Sequence, residues 1–164
     1  DLPEQATALD LEMMRRALAL ADAAAAIGEV PVGAVVYRIE NNAPVILGEG
    51  FNTRERDADP SAHAEFKAIL AAARAIGDWR LEHCSLAVTL EPCPMCAGLI
   101  VNARVARVLY GAADPKAGAV RSLFSLLNDH RLNHRAAVIP GVLEQPAADK
   151  LREFFRLLRT RAAN

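Results

Sequence analysis

Aromatic side chains are scarce here: five Phe, two Tyr and one Trp in 164 residues, 5% of the chain. Any core must therefore be built from Ala, Leu and Val. At 52% hydrophobic residues the chain has enough of them for a globular protein rather than a disordered one. An excess of charge is also missing. Nineteen Lys and Arg stand against twenty Asp and Glu, a formal net charge of -1, so no global basic field attracts nucleic acid and any surface that binds it must be local. No apolar run reaches the roughly 18 residues that a membrane span needs. The start is acidic, with Asp1, Glu4, Asp10 and Glu12, and shows no signal peptide, which points to the cytoplasm. Three cysteines are too few and too odd in number for a disulfide framework; the C-x-x-C pair suits a metal or redox site in a reducing compartment. Repeats, linkers and low-complexity tracts are absent as well, and the length fits one domain, 1–164.

Hydrophobic spacing orders the rest. Leu9, Met13, Ala17, Leu20, Ala24 and Ile27 have helical spacing over 9–27, and Gly28 supplies the C-cap. Val30–Val36 reads as a buried strand, Asn41-Asn42-Ala43-Pro44 as a turn, and Val45–Gly50 as an antiparallel return. After a polar loop, Asp59 as N-cap and Pro60 in the first turn start a helix that runs through Ala75 and stops near Gly77. Leu86–Leu90, Pro94–Asn102 and Val105–Tyr110 form a strand–helix–strand run short enough to imply a right-handed parallel crossover. Val120–Leu127 reads as a short helix and Ala137–Val142 as a last strand, and Pro146 opens a terminal helix. The pattern is that of a single α/β domain.

Two short stretches carry the chemistry. Thr89-Leu90-Glu91-Pro92-Cys93-Pro94-Met95-Cys96-Ala97-Gly98 offers two thiols, and His63-Ala64-Glu65 offers an imidazole and a carboxylate. His63, Cys93 and Cys96 supply three zinc ligands and leave a fourth position for water. A closed structural site would need Cys84, which reads as an ordinary buried thiol, or a distant His83, His130 or His134. A redox C-x-x-C would leave His63 and Glu65 without a role. His63 and Glu65 are two apart, about 200° around a helix, so they converge only beyond its N-terminal end. Pro94 makes Cys93 a cap position, so two helix N-termini should aim at one ion, favouring thiolates and a bound hydroxide. Glu65 is then the proton shuttle rather than a ligand; its alternative is an acidic first-turn residue complementing the helix dipole.

With H-x-E and P-C-x-x-C in place, the sequence resembles the zinc-dependent cytidine deaminase superfamily. Further stretches are similar to the bacterial tRNA adenosine deaminase family: Val30–Val35, Gly48–Asn52, Asp59–Glu65, Tyr110–Ala119, Asn133-His134-Arg135 and Glu153-Phe154-Phe155-Arg156. Departures are mild. Phe51 stands where members often have Trp, Phe66 where Ile or Met is common, Pro115 and Ala117 alter the 114–118 loop, and the Arg38–Pro44 connection is longer than in some members. The resemblance implies a three-layer α/β/α cytidine deaminase-like fold with a central mixed five-stranded sheet flanked by helices. It implies one zinc ion per subunit, held by His63, Cys93 and Cys96, with Glu65 catalytic. It implies substrate contacts from Asn52, Ala64, Asp114 and Lys116, where Asn52 and Asp114 could otherwise be plain turn residues. The reaction would convert adenosine to inosine at the wobble position of a tRNA anticodon loop, by attack at C6, in a homodimer.

The terminal helix holds the clearest local charge. Arg152, Arg156 and Arg159 fall at i, i+4, i+7, beside an apolar row of Leu151, Phe155 and Leu158 with Phe154 next to it. The apolar face should dock on the body and leave the arginines out, either as a solvated, snorkelling face or as phosphate contacts for an anticodon stem-loop. Arg54, Arg56, Arg131 and Arg135 are further loop candidates. A loop nucleotide is easier to splay out than a paired one, which suits an RNA loop substrate. Two other functions stay open at this point: a free-base or nucleoside deaminase acting on guanine or cytosine, and a zinc-stabilised RNA-binding module.

Overall fold

The computed structural model describes residues 5–164; Asp1 and Glu4 of the acidic start lie outside the described residues. In chain order the elements are α1 (Ala8–Ala26), β1 (Gly33–Glu40), β2 (Ala43–Phe51), α2 (Ala64–Ile76), β3 (Ser85–Leu90), α3 (Pro94–Asn102), β4 (Arg107–Ala112), β5 (Ala137–Ile139) and α4 (Glu144–Ala162). The strands form one five-stranded mixed sheet in the order β2-β1-β3-β4-β5. β1 is antiparallel to both β2 and β3, whereas β3, β4 and β5 run parallel.

Side-chain alternation along the strands makes three layers. Ala34, Val36, Leu86, Val88, Val108 and Tyr110 join the core shared with α2 and α3. Their neighbours Val35, Tyr37, Ala87 and Leu109 join Met13, Met14 and Ala17 of α1 on the other face. Period-two alternation with apolar residues on both faces marks a sheet covered on both sides. Small residues bring the helices close. A Cβ on Gly50 would lie 2.4 Å from the carbonyl oxygen of Ala64, and one on Gly48 would lie 2.2 Å from that of Ala68, so β2 meets the backbone of α2. A buried ion pair fastens α1 to the sheet from the other side. Arg107 Nη2 donates to Asp10 Oδ2 at 2.8 Å, and the Tyr37 hydroxyl donates to Asp10 Oδ1 at 2.6 Å.

Several boundaries differ from the sequence reading, each for a local reason. β1 begins at Gly33 rather than Val30 because the Val30 carbonyl is taken by the Val32 N–H and the Asn52 amide. The longer Arg38–Pro44 connection proves to be strand: β1 and β2 continue to Glu40 and from Ala43, joined by Asn41 and Asn42 at φ 49° and 61°. That is a two-residue hairpin turn of the kind Asn tolerates. Asp59 does not cap α2. It accepts the Ser61 N–H and hydroxyl in a separate turn, and α2 starts at Ala64 with His63 as N-cap. No α-helix forms over 120–127; only a 3-10 turn at Leu126–Asn128 does, because the Val120, Arg121 and Ser122 N–H groups are held by the Glu91 carboxylate. β5 stops at Ile139, before Pro140. α4 begins at Glu144, two residues ahead of Pro146.

Candidate active site

The sequence places its polar chemistry at two helix starts, and the fold brings those starts together at the end of β3. His63 is the N-cap of α2 in an extended conformation (φ -80°, ψ 150°), and Cys93 is the N-cap of α3 in another (φ -76°, ψ 174°). Their carbonyls accept the first intrahelical bonds, from Lys67 and Ala97. Pro94 sits at N1, where its missing N–H costs nothing. Cys96 follows within the first turn of α3, and Ala64 and Glu65 within that of α2. His63, Ala64, Glu65, Cys93 and Cys96 therefore all border N–H groups that have no partner inside their helices, at the positive ends of the two dipoles.

His63 Nδ1 lies 3.6 Å from both Cys93 Sγ and Cys96 Sγ, and the three ligand atoms lie within 4.8 Å of one another. Tetrahedral zinc with Zn–S of about 2.3 Å and Zn–N of about 2.0–2.1 Å sets an N···S edge of about 3.6 Å. One imidazole and two thiols at that spacing fit zinc. Glu65 is 4% exposed, and its Oε1 is 4.0 Å from His63 Nδ1. Burial raises the Glu65 carboxyl above its ordinary range. The Cys96 thiol, ahead of the His63 imidazole, brings Cys93 down to about 4. Cys96 moves the other way, chiefly because of Cys93 and then burial, and His63 is raised chiefly by Cys93. Cys84 is buried away from this group, and burial raises its thiol, as expected of an inert core cysteine.

A cavity of about 200 Å³ opens beside the cluster. His63, Ala64, Glu65 and Cys93 line it, and so do Asn52 and Asp114 from two separate loops. Asn52 Nδ2 donates to the Val30 carbonyl and Oδ1 accepts the Arg54 N–H, so the side chain is fixed at the rim with one N–H and one lone pair to spare. Asp114 Oδ1 accepts the N–H groups of Lys116 and Ala117, so it closes its own turn as well as lining the cavity. Lys116 is exposed and is not part of the lining, which its neighbour Ala117 provides instead. A larger cavity, about 550 Å³, lies between the C-terminal end of α1 and α4, but no thiol or imidazole lines it. The chemistry therefore belongs to the smaller one.

Two carboxylates that the sequence reading passed over frame the cavity. Glu29, 2% exposed, accepts the N–H groups of Glu55 and Arg56 and so holds the loop that follows Asn52. Glu91, also 2% exposed, accepts N–H groups from Asp114, Val120, Arg121 and Ser122. Burial opposes its ionisation, but these hydrogen bonds prevail and hold it at about 2. Backbone partners leave no mark in a sequence. The available signal was one acidic residue inside an otherwise apolar strand end.

On α4 the apolar row docks only in part. Leu151 and Phe154 are half-buried, whereas Phe155 and Leu158 are 41% and 50% exposed. Ala147 is the one buried residue of the helix, and beyond it Lys150 pairs with Asp22 of α1 at 2.6 Å. Arg152 and Arg156 point outward and pair with Asp149 and Glu153; Arg159 is exposed on the same side. None of these residues lines the cavity beside the thiols. Among the described residues, no helix is long and apolar enough to cross a membrane.

Comparison with known proteins agrees with this geometry. The family profile for MafB19-like deaminases matches residues 9–159. The tRNA-specific adenosine deaminase of Haemophilus influenzae is 46% identical over 150 residues, 92% of this chain and 85% of that protein. The Bacillus subtilis enzyme of the same name is 47% identical over 146 residues, 89% of this chain and 88% of that protein. A solved structure from a study of A-to-I editing by tRNA:A34 deaminases at the wobble position superposes with a TM-score of 0.78. It is 38% identical and covers 85% of this chain and 99% of that one. The chain belongs to the tRNA-specific adenosine deaminase family.

Proposed function

We propose that the protein deaminates adenosine to inosine at the wobble position of a tRNA anticodon loop, in the cytoplasm, with one zinc ion held by His63, Cys93 and Cys96. The observation that carries this is the placement of the buried Glu65 carboxylate 4.0 Å from the His63 ring, in a cavity bounded by the imidazole and the Cys93 thiol. Zinc bound at such a donor set lowers the pKa of water to roughly 7 and supplies a nucleophile at neutral pH. Glu65 takes one proton of the attacking water and passes it to the ring nitrogen as C6 becomes tetrahedral; it then takes the proton of the hydroxyl now on C6 and delivers it to the departing amine. The balance is adenosine plus water to inosine plus ammonia. Asn52 and the Ala64 N–H orient the base, and Asp114 and Lys116 meet the flanking nucleotides. A flipped loop base fits a cavity walled by two loops better than a paired base would.

The exposed arginines Arg152, Arg156 and Arg159, with Phe155 beside them, provide the phosphate-facing surface in this reading. Binding is that of a local patch on a near-neutral protein. A homodimer has a suitable surface near the site: Met95 on α3 is 38% exposed, and Leu123 and Phe124 are 55% and 53% exposed. Their loop is tied to the start of α3 through the Ala119 N–H to the Pro92 carbonyl. Incubation of purified protein with an anticodon stem-loop and, separately, with guanine, cytosine and their nucleosides tests the substrate. Inosine in the stem-loop with release of ammonia is the expected result. Turnover of a free base with no inosine in RNA would replace this reading with the free-base alternative.

A further inference from the structure

The end of β3 carries a carboxylate that the deamination chemistry does not use. Glu91 sits one residue past the β3–β4 ladder, its own N–H bonded to the Ala112 carbonyl at 2.9 Å. Every hydrogen bond its side chain accepts comes from the loop that follows β4. Oε1 takes the Asp114 N–H at 3.0 Å and the Ser122 hydroxyl. Oε2 takes the N–H groups of Val120 at 3.2 Å, Arg121 at 2.9 Å and Ser122 at 2.9 Å. Between the two attachments the loop passes so close that a Cβ on Gly118 would lie 2.4 Å from the carboxylate. The segment so held contributes Asp114 and Ala117 to the wall of the catalytic cavity.

Resting on the adenosine deaminase reading above, we infer that Glu91 is a positioning residue that sets this wall: it anchors the 114–122 loop and, through Asp114, fixes the groups that meet the nucleotides flanking the target base. Four converging backbone N–H groups call for an anionic acceptor, since a buried N–H left without one is costly. The two oxygens do different work. One gathers the three consecutive N–H groups of 120–122, and the other reaches Asp114. A Gln side chain keeps one carbonyl oxygen, which is best placed on the three-donor side. Its NH2 group then faces the Asp114 N–H, donor against donor, while the Ser122 hydroxyl rotates to accept from it. Glu91→Gln therefore releases the Asp114 end of the loop and keeps the other.

The test compares wild type, Glu91→Gln, Asp114→Ala and the double variant. Zinc content, amide hydrogen–deuterium exchange and steady-state kinetics on an anticodon stem-loop are the readouts. Glu91→Gln is expected to keep one zinc per chain and to exchange about tenfold faster around Asp114, with 120–122 unchanged. KM should rise about tenfold while kcat stays within about twofold, as for loss of binding made equally in ground and transition states. In the Asp114→Ala background the same change should alter KM by less than about twofold, because the two residues act as one unit. Independent effects that multiply in the double variant, a fall in kcat at constant KM, loss of zinc, or unchanged exchange at Asp114 would each overturn the assignment. A wild-type chain that leaves the stem-loop untouched would defeat the deaminase reading instead, and the exchange comparison would still decide the anchor.

Discussion

Gly50→Ala perturbs the site without touching any group in it. The new Cβ would stand 2.4 Å from the Ala64 carbonyl oxygen, where contacts below 3.0 Å are essentially unknown for real Cβ atoms. The obstacle is backbone, so no side chain can swing aside. At least about 0.6 Å must come from movement of β2 or of the first turn of α2. β2 is held in its ladder with β1, and a Cβ on Gly48 would likewise lie 2.2 Å from the Ala68 carbonyl oxygen one turn along the same helix. Ala64 is flanked by His63 and Glu65, so a shift of the first turn carries both. Misplacement of catalytic groups by 1 Å costs on the order of 10²-fold, so kcat should fall roughly 10- to 100-fold. Overpacking of this kind costs about 2 kcal/mol, which for a chain of 164 residues is a Tm drop of roughly 4–8 °C.

The assay pairs kcat on the stem-loop, normalised to bound zinc, with a thermal melt. Gly98→Ala is the control: it lies on α3 two residues past Cys96, and nothing stands within 4 Å of its added Cβ. That change should leave kcat unaltered and raise stability by up to about 1 kcal/mol through helix propensity. If Gly50→Ala keeps wild-type kcat per zinc, the claim that the packing of α2 on β2 places His63 and Glu65 is wrong.

Other expectations concern stability, metal and RNA. Asp10 is held at about 2 against an ordinary 3.8, because hydrogen bonds led by Arg107 outweigh the burial that would raise it. A carboxylate lowered in the folded state stabilises fully above its unfolded pKa, so about 2 kcal/mol is present above roughly pH 4 and lost as pH falls toward 2. In urea melts the gap between wild type and Asp10→Asn should narrow by about 1 kcal/mol from pH 7 to pH 3; an unchanged gap would contradict the pairing. Cys93→Ala should lose zinc and Cys84→Ala should keep one per chain by elemental analysis, whereas zinc loss from the Cys84 variant would make the site four-liganded. Arg159→Ala should weaken stem-loop binding and reduce the salt slope of log K by about 1; a slope equal to wild type would remove α4 from the RNA surface.

What the sequence revealed depended on whether a residue's partner was near it in the chain. α3 was legible to the residue because Pro94 marks its start, and His63 two positions from Glu65 already required a site beyond a helix end. The three layers are what the family resemblance implies, and the structure realises them through alternation in Val35–Tyr37 and Leu86–Val88. Asp59-Pro60-Ser61 satisfies capping preferences locally and so predicts too early a start for α2, whereas the Ala62 carbonyl and the His63 N–H are engaged outside the helix, with Thr53 and Ser61. The helix expected over 120–127 failed because a carboxylate about thirty residues away competes for its N–H groups. Asp10 looked like part of an acidic start but pairs with Arg107, 97 positions on. On α4 the periodicity of Leu151, Phe155 and Leu158 is genuine, yet only Leu151 is half-buried while Phe155 and Leu158 stay exposed, and no pattern within a helix encodes which of its apolar residues find support.

The central claim is that Glu65 moves the protons in a zinc-dependent deamination of adenosine. Glu65→Gln preserves size and one acceptor oxygen and removes the base. Purified with its metal, it should carry one zinc per chain, bind an anticodon stem-loop as wild type does, and form inosine about 10²- to 10⁴-fold more slowly. A zinc-loaded Glu65→Gln variant that forms inosine at the wild-type rate would contradict the account.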